Sequence, residues 1–301
     1  MESARTPESP HSQPAAAVPG PRLVKLAGLL EDWQADAEAA HQAKTTGKPR
    51  GPVTGLSTLD RELGGCLHPG VNIVHGTPGV GKTAFALQVA ASCGCPALFV
   101  TCEMAPVELF RRVTARVTGT FLGRLKSGEM PPRESLARAR QAAEQTPLLA
   151  FADATRAFAP PEWLRDAALA VRGDAPHLLL VVDSVHSWAE GAPGEASEYE
   201  ALNAALAALR HLASELECPV LAIAERNRAS MEKGGLSAGA GTRKLEYGAE
   251  AVIDLARPED ATPDASGEVA VTARLAKNRH GTVGTKVKLR WHGALQRFEE
   301  A

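Results

Sequence analysis

The chain has 301 residues, 44% of them hydrophobic and only 4% aromatic, with a formal net charge of −2. This length suits one α/β domain of about 250 residues with extra segments, and the core must be built mainly from Ala, Leu and Val. Near-neutral charge excludes nucleic-acid affinity spread over the whole surface and confines it to local basic patches. The longest apolar runs, such as residues 178–182 and 219–224, are of buried-strand length, far short of the roughly 20 residues that span a bilayer. The start of the chain is rich in Pro, Ser and Glu and has no basic-then-apolar signal peptide. Cys66, Cys93, Cys95, Cys102 and Cys218 are scattered, with no second pair at zinc spacing. They are expected to be buried or incidental thiols, and the expected compartment is the cytoplasm, with no membrane partner.

Residues 1–21 are proline-rich without apolar periodicity and read as a disordered tail. Over residues 23–43, Leu23, Leu26, Leu29, Leu30, Trp33 and Ala37 recur at helical spacing and predict an amphipathic helix. Residues 44–52 (KTTGKPRGP) read as a polar, basic linker. The helix needs a surface to dock on, either its own domain or a neighbouring subunit, and periodicity leaves both open. The expected division is therefore a tail over 1–21, helix and linker over 22–52, and one domain over 53–301.

From residue 52 onward, strand-like and helix-like segments alternate. Residues 71–75 form a β-branched run leading into a glycine-rich turn and a helix over 82–92. Residues 97–101 read as a second buried strand, followed by helices over 106–117 and 132–145. Short apolar runs at 148–151, 178–182 and 219–224 follow, with a long Ala/Leu-rich helix over 199–216 between the last two. Such alternation predicts a mostly parallel sheet flanked by helices, an α/β fold. After Gly248, residues 251–255, 268–277 and 285–291 read as successive strands forming an antiparallel extension at the sheet edge.

Gly76, Thr77, Pro78, Gly79, Val80, Gly81, Lys82 and Thr83 (GTPGVGKT) match the Walker A pattern in full, after a strand and before a helix. Glycines let backbone N–H groups turn inward on phosphate oxygens, and the helix adds the positive end of its dipole. Lys82, read as a surface-loop cation with no core role, should reach the β- and γ-phosphates of ATP, and the Thr83 hydroxyl should ligate Mg²⁺. The strand over 178–182 ends in Asp183, as a Walker B segment should, placing a carboxylate near the Mg²⁺ shell, directly or through water. Hydrolysis also needs a carboxylate that orients and deprotonates water. Glu103, just past the strand over 97–101, is the candidate base; an ordinary surface glutamate is the alternative reading.

With these segments in order, the chain resembles the C-terminal ATPase domain of DnaB-family replicative helicases over about residues 53–299. The pieces are TGLSTLD at 54–60 with Gly64 and Gly65, the Walker A segment running on to Gln88, and Cys102, Glu103 and Met104. Leu125 to Gly128 (LKSG), the Walker B strand, Asn227 with Arg228, and AKNRHG at 276–281 complete them. The resemblance implies a RecA-like P-loop core that assembles as a homohexameric ring with ATP at subunit interfaces. It makes Glu103 the catalytic base, Lys277 and Arg279 the cations inserted into a neighbour's site, and the helix over 23–43 a linker docking on the adjacent subunit. The chain departs from the family pattern in three places. No counterpart of the family's large N-terminal domain is recognised, so independent replicative loading is not expected and any loader or primase-like partner is unspecified. Glu225 stands at the sensor position that is usually Gln, where a carboxylate would repel a γ-phosphate unless protonated or paired with Arg226 or Arg228. Residues 239–245 (GAGTRKL) lack the family's usual DNA-contacting wording, and this stretch with KNRHG is also similar to RadA-type recombination ATPases.

Residues 226–244 form a Gly/Ser/Ala-rich segment carrying Arg226, Arg228, Lys233, Arg243 and Lys244 against Glu232. In RecA-like rings the corresponding loop faces the central channel. Its cations and backbone amides suit a single-stranded DNA phosphate chain without base readout; a solvated loop is the alternative. The leading expectation is an ATP-hydrolysing, DnaB-like ring motor that moves along single-stranded DNA as a helicase. The rivals are a RadA- or KaiC-like ATPase that does not unwind duplex, and a nucleotide-binding interaction protein with little turnover.

Overall fold

A computed structural model describes residues 23–194, 197–225, 248–258 and 260–301. It divides into two units, one ending at Lys48 and the other spanning Pro49–Ala301. In the first, a 3₁₀ turn at Leu26–Leu29 runs into helix α1, Leu30–Thr46, and none of their residues is buried. The helix continues through Lys44, Thr45 and Thr46, which the sequence assigned to a linker. The cause is local: the Thr45 and Thr46 hydroxyls donate back to the carbonyls of His41 and Gln42, and Gly47 ends the helix at φ 70°, a conformation glycine adopts without a Cβ penalty.

The second unit runs α2 (Ser57–Glu62), β1 (Gly70–Gly76), α3 (Lys82–Ser92), β2 (Ala97–Thr101), α4 (Pro106–Thr118), α5 (Leu122–Ser127) and α6 (Pro132–Gln145). It continues with β3 (Leu149–Asp153), α7 (Pro161–Arg172), β4 (Leu179–Asp183), α8 (Val185–Glu190), α9 (Glu198–Glu215) and β5 (Pro219–Ile223). The described chain resumes with β6 (Ala251–Ala256), β7 (Glu268–Asn278), β8 (Lys286–His292) and β9 (Arg297–Glu300). The strands form one sheet in the order β3-β2-β4-β5-β1-β6-β7-β8-β9. β3 through β6 pair in parallel, and among the described residues only β7, β8 and β9 add antiparallel pairings. The sequence grouped β6 with the antiparallel extension. In the structure it pairs in parallel with β1 along Asn72–Gly76, so the reversal comes one strand later.

Every residue of β2, β4 and β5 is buried, as expected of parallel strands covered by helices on both faces. One apolar cluster packs Phe85, Leu87, Phe99 and Leu109 against one face, and a second packs Leu164, Trp188, Leu206 and Leu209 against the other. Ser197 caps α9 reciprocally with Glu200, a device that stabilises a helix by about 1 kcal/mol. β9, too short to be legible in the sequence, is splinted to α3. The Gln88 side-chain amide donates to Phe298 O at 2.9 Å and accepts from Phe298 N at 2.8 Å. Phe298 then stacks on Trp291 at 4.3 Å and meets Phe85 edge-on.

Candidate nucleotide site

The carboxyl ends of β1, β2, β4 and β5 open on one side of the sheet, where open α/β sheets place their ligands. Gly76 ends β1, and Lys82 begins α3. Between them the backbone turns so tightly that a Cβ on Gly76 would lie 2.7 Å from Val80 Cγ1 and 2.8 Å from Leu255 O. Gly81, at φ 101°, is the residue before α3, and a Cβ there would come within 2.9 Å of Phe298 Cζ. Thus β9 supports the loop from behind. Lys82 is not a surface cation: it is buried, and Nζ donates to Gly76 O at 2.9 Å and to Thr77 O at 3.3 Å. Burial pulls its pKa down, opposed by the charges of Glu225, Asp183 and Glu103.

A cavity of about 300 Å³ is bounded by the loop, Glu103, Arg112, Asp183, Glu225 and Trp291. Burial pushes the Asp183 carboxyl up to about 6, and the charge of Glu103 adds to this. The Thr83 hydroxyl bonded to it, with Lys82 and Arg112, acts in the other direction. The adjacent Thr83 hydroxyl and Asp183 carboxylate are hard oxygen donors and fit Mg²⁺, which characteristically takes one or two protein ligands beside phosphate oxygens and water. Among the described residues no group of three or more His, Cys, Asp or Glu side chains converges as a metal cage. Cys102, between these carboxylates, is pushed up to about 12 by burial and their charge and stays a thiol at neutral pH.

Glu103 is exposed at the end of β2. Its Oε1 accepts from Ser184 Oγ at 2.9 Å and Ser187 Oγ at 2.6 Å, which orients the carboxylate toward the cavity edge. Sequence reasoning passed over both serines, although a DSxxS pattern directly after the Walker B strand was there to be read. It also passed over Arg112, which no motif marks beside Arg111. Arg112 reaches the cavity from α4, donating through Nη1 to Gln296 Oε1 at 2.8 Å.

The structure brings together residues 76–83, Glu103, Asp183 and Glu225. It does not bring Lys277 and Arg279 to them. β7 runs antiparallel to β6 and pairs Asn278 with Ala251, so these cations lie at the opposite end of the sheet. Along the strand direction Arg279, level with Val71, stands about 17 Å from Gly76, and Lys277, level with Ile73, about 10 Å, and both lie two strands aside of β1. There Arg279 faces a cavity it shares with Arg50, His177, Arg210, Glu217 and Glu250. Arg226, Arg228, Lys233, Arg243 and Lys244 lie outside the described residues.

The model of the DnaB-like helicase C-terminal domain matches residues 51–300. The replicative DNA helicase DnaB of Geobacillus stearothermophilus is 24% identical over 257 residues, covering 79% of this chain and 54% of that protein. The DnaB of Treponema pallidum is 27% identical over 264 residues, covering 82% and 56%. The chain thus spans about half the length of the curated relatives it matches. Among solved structures, a DnaB-like replicative helicase described with its primase interactions superposes with a TM-score of 0.73 at 19% identity, covering 93% of this chain and 68% of that one. A RadB recombinase reaches only 0.50 at 20% identity, covering 82% and 98%. The fold is that of a RecA-like ATPase, and the chain belongs to the DnaB-like helicase C-terminal domain family.

Proposed function

We propose that this chain is the ATP-hydrolysing module of a DnaB-like ring that translocates on single-stranded DNA and unwinds duplex. The observation that carries the reading is the division of the catalytic set between opposite ends of one sheet. The phosphate loop, Asp183 and Glu103 stand at one end, while Lys277 and Arg279 stand too far away to serve the same loop. Such a set is complete only where one copy's loop meets another copy's cations, a head-to-tail contact that closes into a ring when its rotation permits.

In this reading Lys82 leaves the carbonyls of Gly76 and Thr77 for the β- and γ-phosphates. Glu103, oriented by Ser184 and Ser187, accepts a proton from the attacking water. Arg112 offsets negative charge beside Asp183. Thr83 and Asp183 would hold Mg²⁺, which would supply charge neutralisation at the phosphates. Lys277 and Arg279 of the adjacent copy stabilise charge developing on the γ-phosphate. Residues 226–244, through Arg226, Arg228, Lys233, Arg243 and Lys244, are the proposed DNA-facing segment, and residues 22–52 the tether that docks on a neighbouring copy. Contacts with a primase or loader belong to the same proposal at the level of the whole relatives.

Glu225 favours one second reading. It adds a third carboxylate to those acting on Lys82, where it would oppose a γ-phosphate and favour a nucleotide-binding protein with little turnover. Steady-state ATP hydrolysis with and without oligo-dT, together with displacement of a forked duplex, separates the readings. DNA-stimulated hydrolysis with displacement is expected. Hydrolysis without displacement would favour a RadA- or KaiC-like role, and binding without hydrolysis the second reading.

A further inference from the structure

Glu250 immediately precedes β6, at the end of the sheet remote from the phosphate loop. Its carboxylate is divided between two partners. Oε1 accepts from Arg279 Nη1 at 2.9 Å, and Oε2 pairs with His280 Nε2 at 3.0 Å. The main chain is tied as well: Arg279 N donates to Glu250 O at 3.0 Å, and Glu250 N donates to Val71 O at 2.7 Å. A carboxylate bound through both oxygens to different groups cannot swing without losing one of them. Space for it comes from Gly70, where a Cβ would lie 2.5 Å from Glu250 Cγ.

The segment bearing Arg279 is fixed from its other side too. Asn278 Nδ2 donates to Glu62 O at 2.7 Å, and Asn278 Oδ1 accepts from His280 N at 3.1 Å. The His280 ring stacks on His68 with centroids 3.6 Å apart. The outcome is an arginine whose side chain is 50% exposed, pointing from an anchor that is only 18% exposed. An ion pair with so exposed a member contributes little to stability, whereas fixing the direction of a long side chain has a direct effect on what that side chain can reach.

Resting on the reading of Arg279 as a cation acting in a neighbour's site, we propose that Glu250 is a positioning residue that aims the Arg279 guanidinium across the subunit interface. A guanidinium carries five N–H donors, so being held through Nη1 is compatible with contacting a phosphate. Glu250 itself touches no nucleotide; it acts through Arg279, with His280 and His68 keeping its second oxygen in place.

Glu250→Gln keeps the shape and removes the charge. In the full chain its kcat for ATP hydrolysis should fall roughly ten- to a hundredfold, the scale for a misplaced catalytic group, while KM for ATP and the melting temperature stay at wild-type values. In an Arg279→Lys background, where the fork geometry is already lost, Glu250→Gln should cost much less than it does alone. Wild-type kcat in Glu250→Gln, with Arg279→Ala inactive, would overturn the positioning role alone. Wild-type kcat in Arg279→Ala would instead overturn the reading beneath it. An equal loss in both backgrounds, or a lowered melting temperature, would assign Glu250 a structural role and also overturn the proposal.

Discussion

Mixing two inactive variants tests the division of the site directly. Lys82→Ala disables the loop and leaves Arg279 intact; Arg279→Ala does the reverse. Each alone should be inactive, since a trans-acting arginine is worth about 10³–10⁵ in rate. Within one chain Arg279 stands about 17 Å from the Gly76 end of the loop along the strand direction and two strands aside, beyond the reach of an arginine side chain, so neither variant can repair itself. In a ring assembled at random from equal amounts, each interface needs an intact loop from one subunit and an intact arginine from the next. For such head-to-tail contacts about one interface in four satisfies both conditions. Turnover should therefore recover to about a quarter of the wild-type rate, and vary with mixing ratio as a symmetric parabola that peaks at equal amounts. Coordination around the ring lowers the peak without moving it. Phosphate release measured across the mixing series, after fluorescence transfer has established subunit exchange, provides the assay. Complete exchange with no turnover at any ratio would refute the trans assignment of Arg279 first and the shared-site ring second.

Three further outcomes are expected. Glu103→Gln should bind ATP normally and hydrolyse it at least about a hundredfold more slowly, the usual cost of a lost general base; near-normal turnover would move the base elsewhere, Glu225 being next. Arg243→Ala with Lys244→Ala should flatten the salt dependence of single-stranded DNA binding by roughly 0.7 in log–log slope per lost phosphate contact, as measured by fluorescence anisotropy, and an unchanged slope would return the segment to solvent. Gly81→Ala meets both the φ of 101° and the Phe298 ring. It should lower stability by about 2–4 kcal/mol in urea titrations and abolish nucleotide binding, and Phe298→Leu should recover part of the stability.

What the sequence made legible was whatever depends on local pattern. GTPGVGKT needs only its own glycines and the flanking strand and helix, and it lies where the pattern placed it, between β1 and α3. Asp183 was readable because four apolar residues precede it in a buried strand. Arg112 was not, because its position depends on how α4 meets the end of β2 and nothing in its own neighbourhood records that; Ser184 and Ser187 left only the DSxxS pattern after β4, whose bonds to Glu103 depend on how α8 meets the end of β2. The parallel pairing of β6 was hidden for a related reason: Ala251–Ala256 reads as a strand of either direction until its partner is known. Lys82 was misjudged because the Walker pattern tells of phosphate contacts, not of the carbonyls that take the ammonium without them. Glu250 carries no motif at all, and only the return of β7 to the start of β6 brings Arg279 beside it.

The contact between Gln88 and Phe298 has a consequence for biosynthesis. These residues are 210 positions apart, so during translation the phosphate loop leaves the ribosome long before the strand that backs Gly81 exists. At about 5–20 residues per second, that interval lasts on the order of 10–40 s. Throughout it, α3 lacks the Gln88 splint and the loop lacks the Phe298 ring behind it. A nucleotide bound at the proposed site is therefore not expected to assist folding of the nascent domain in the way an early-formed ligand site would. Tight binding, and the protection against proteolysis that accompanies it, is expected only after residues 297–300 have joined the sheet.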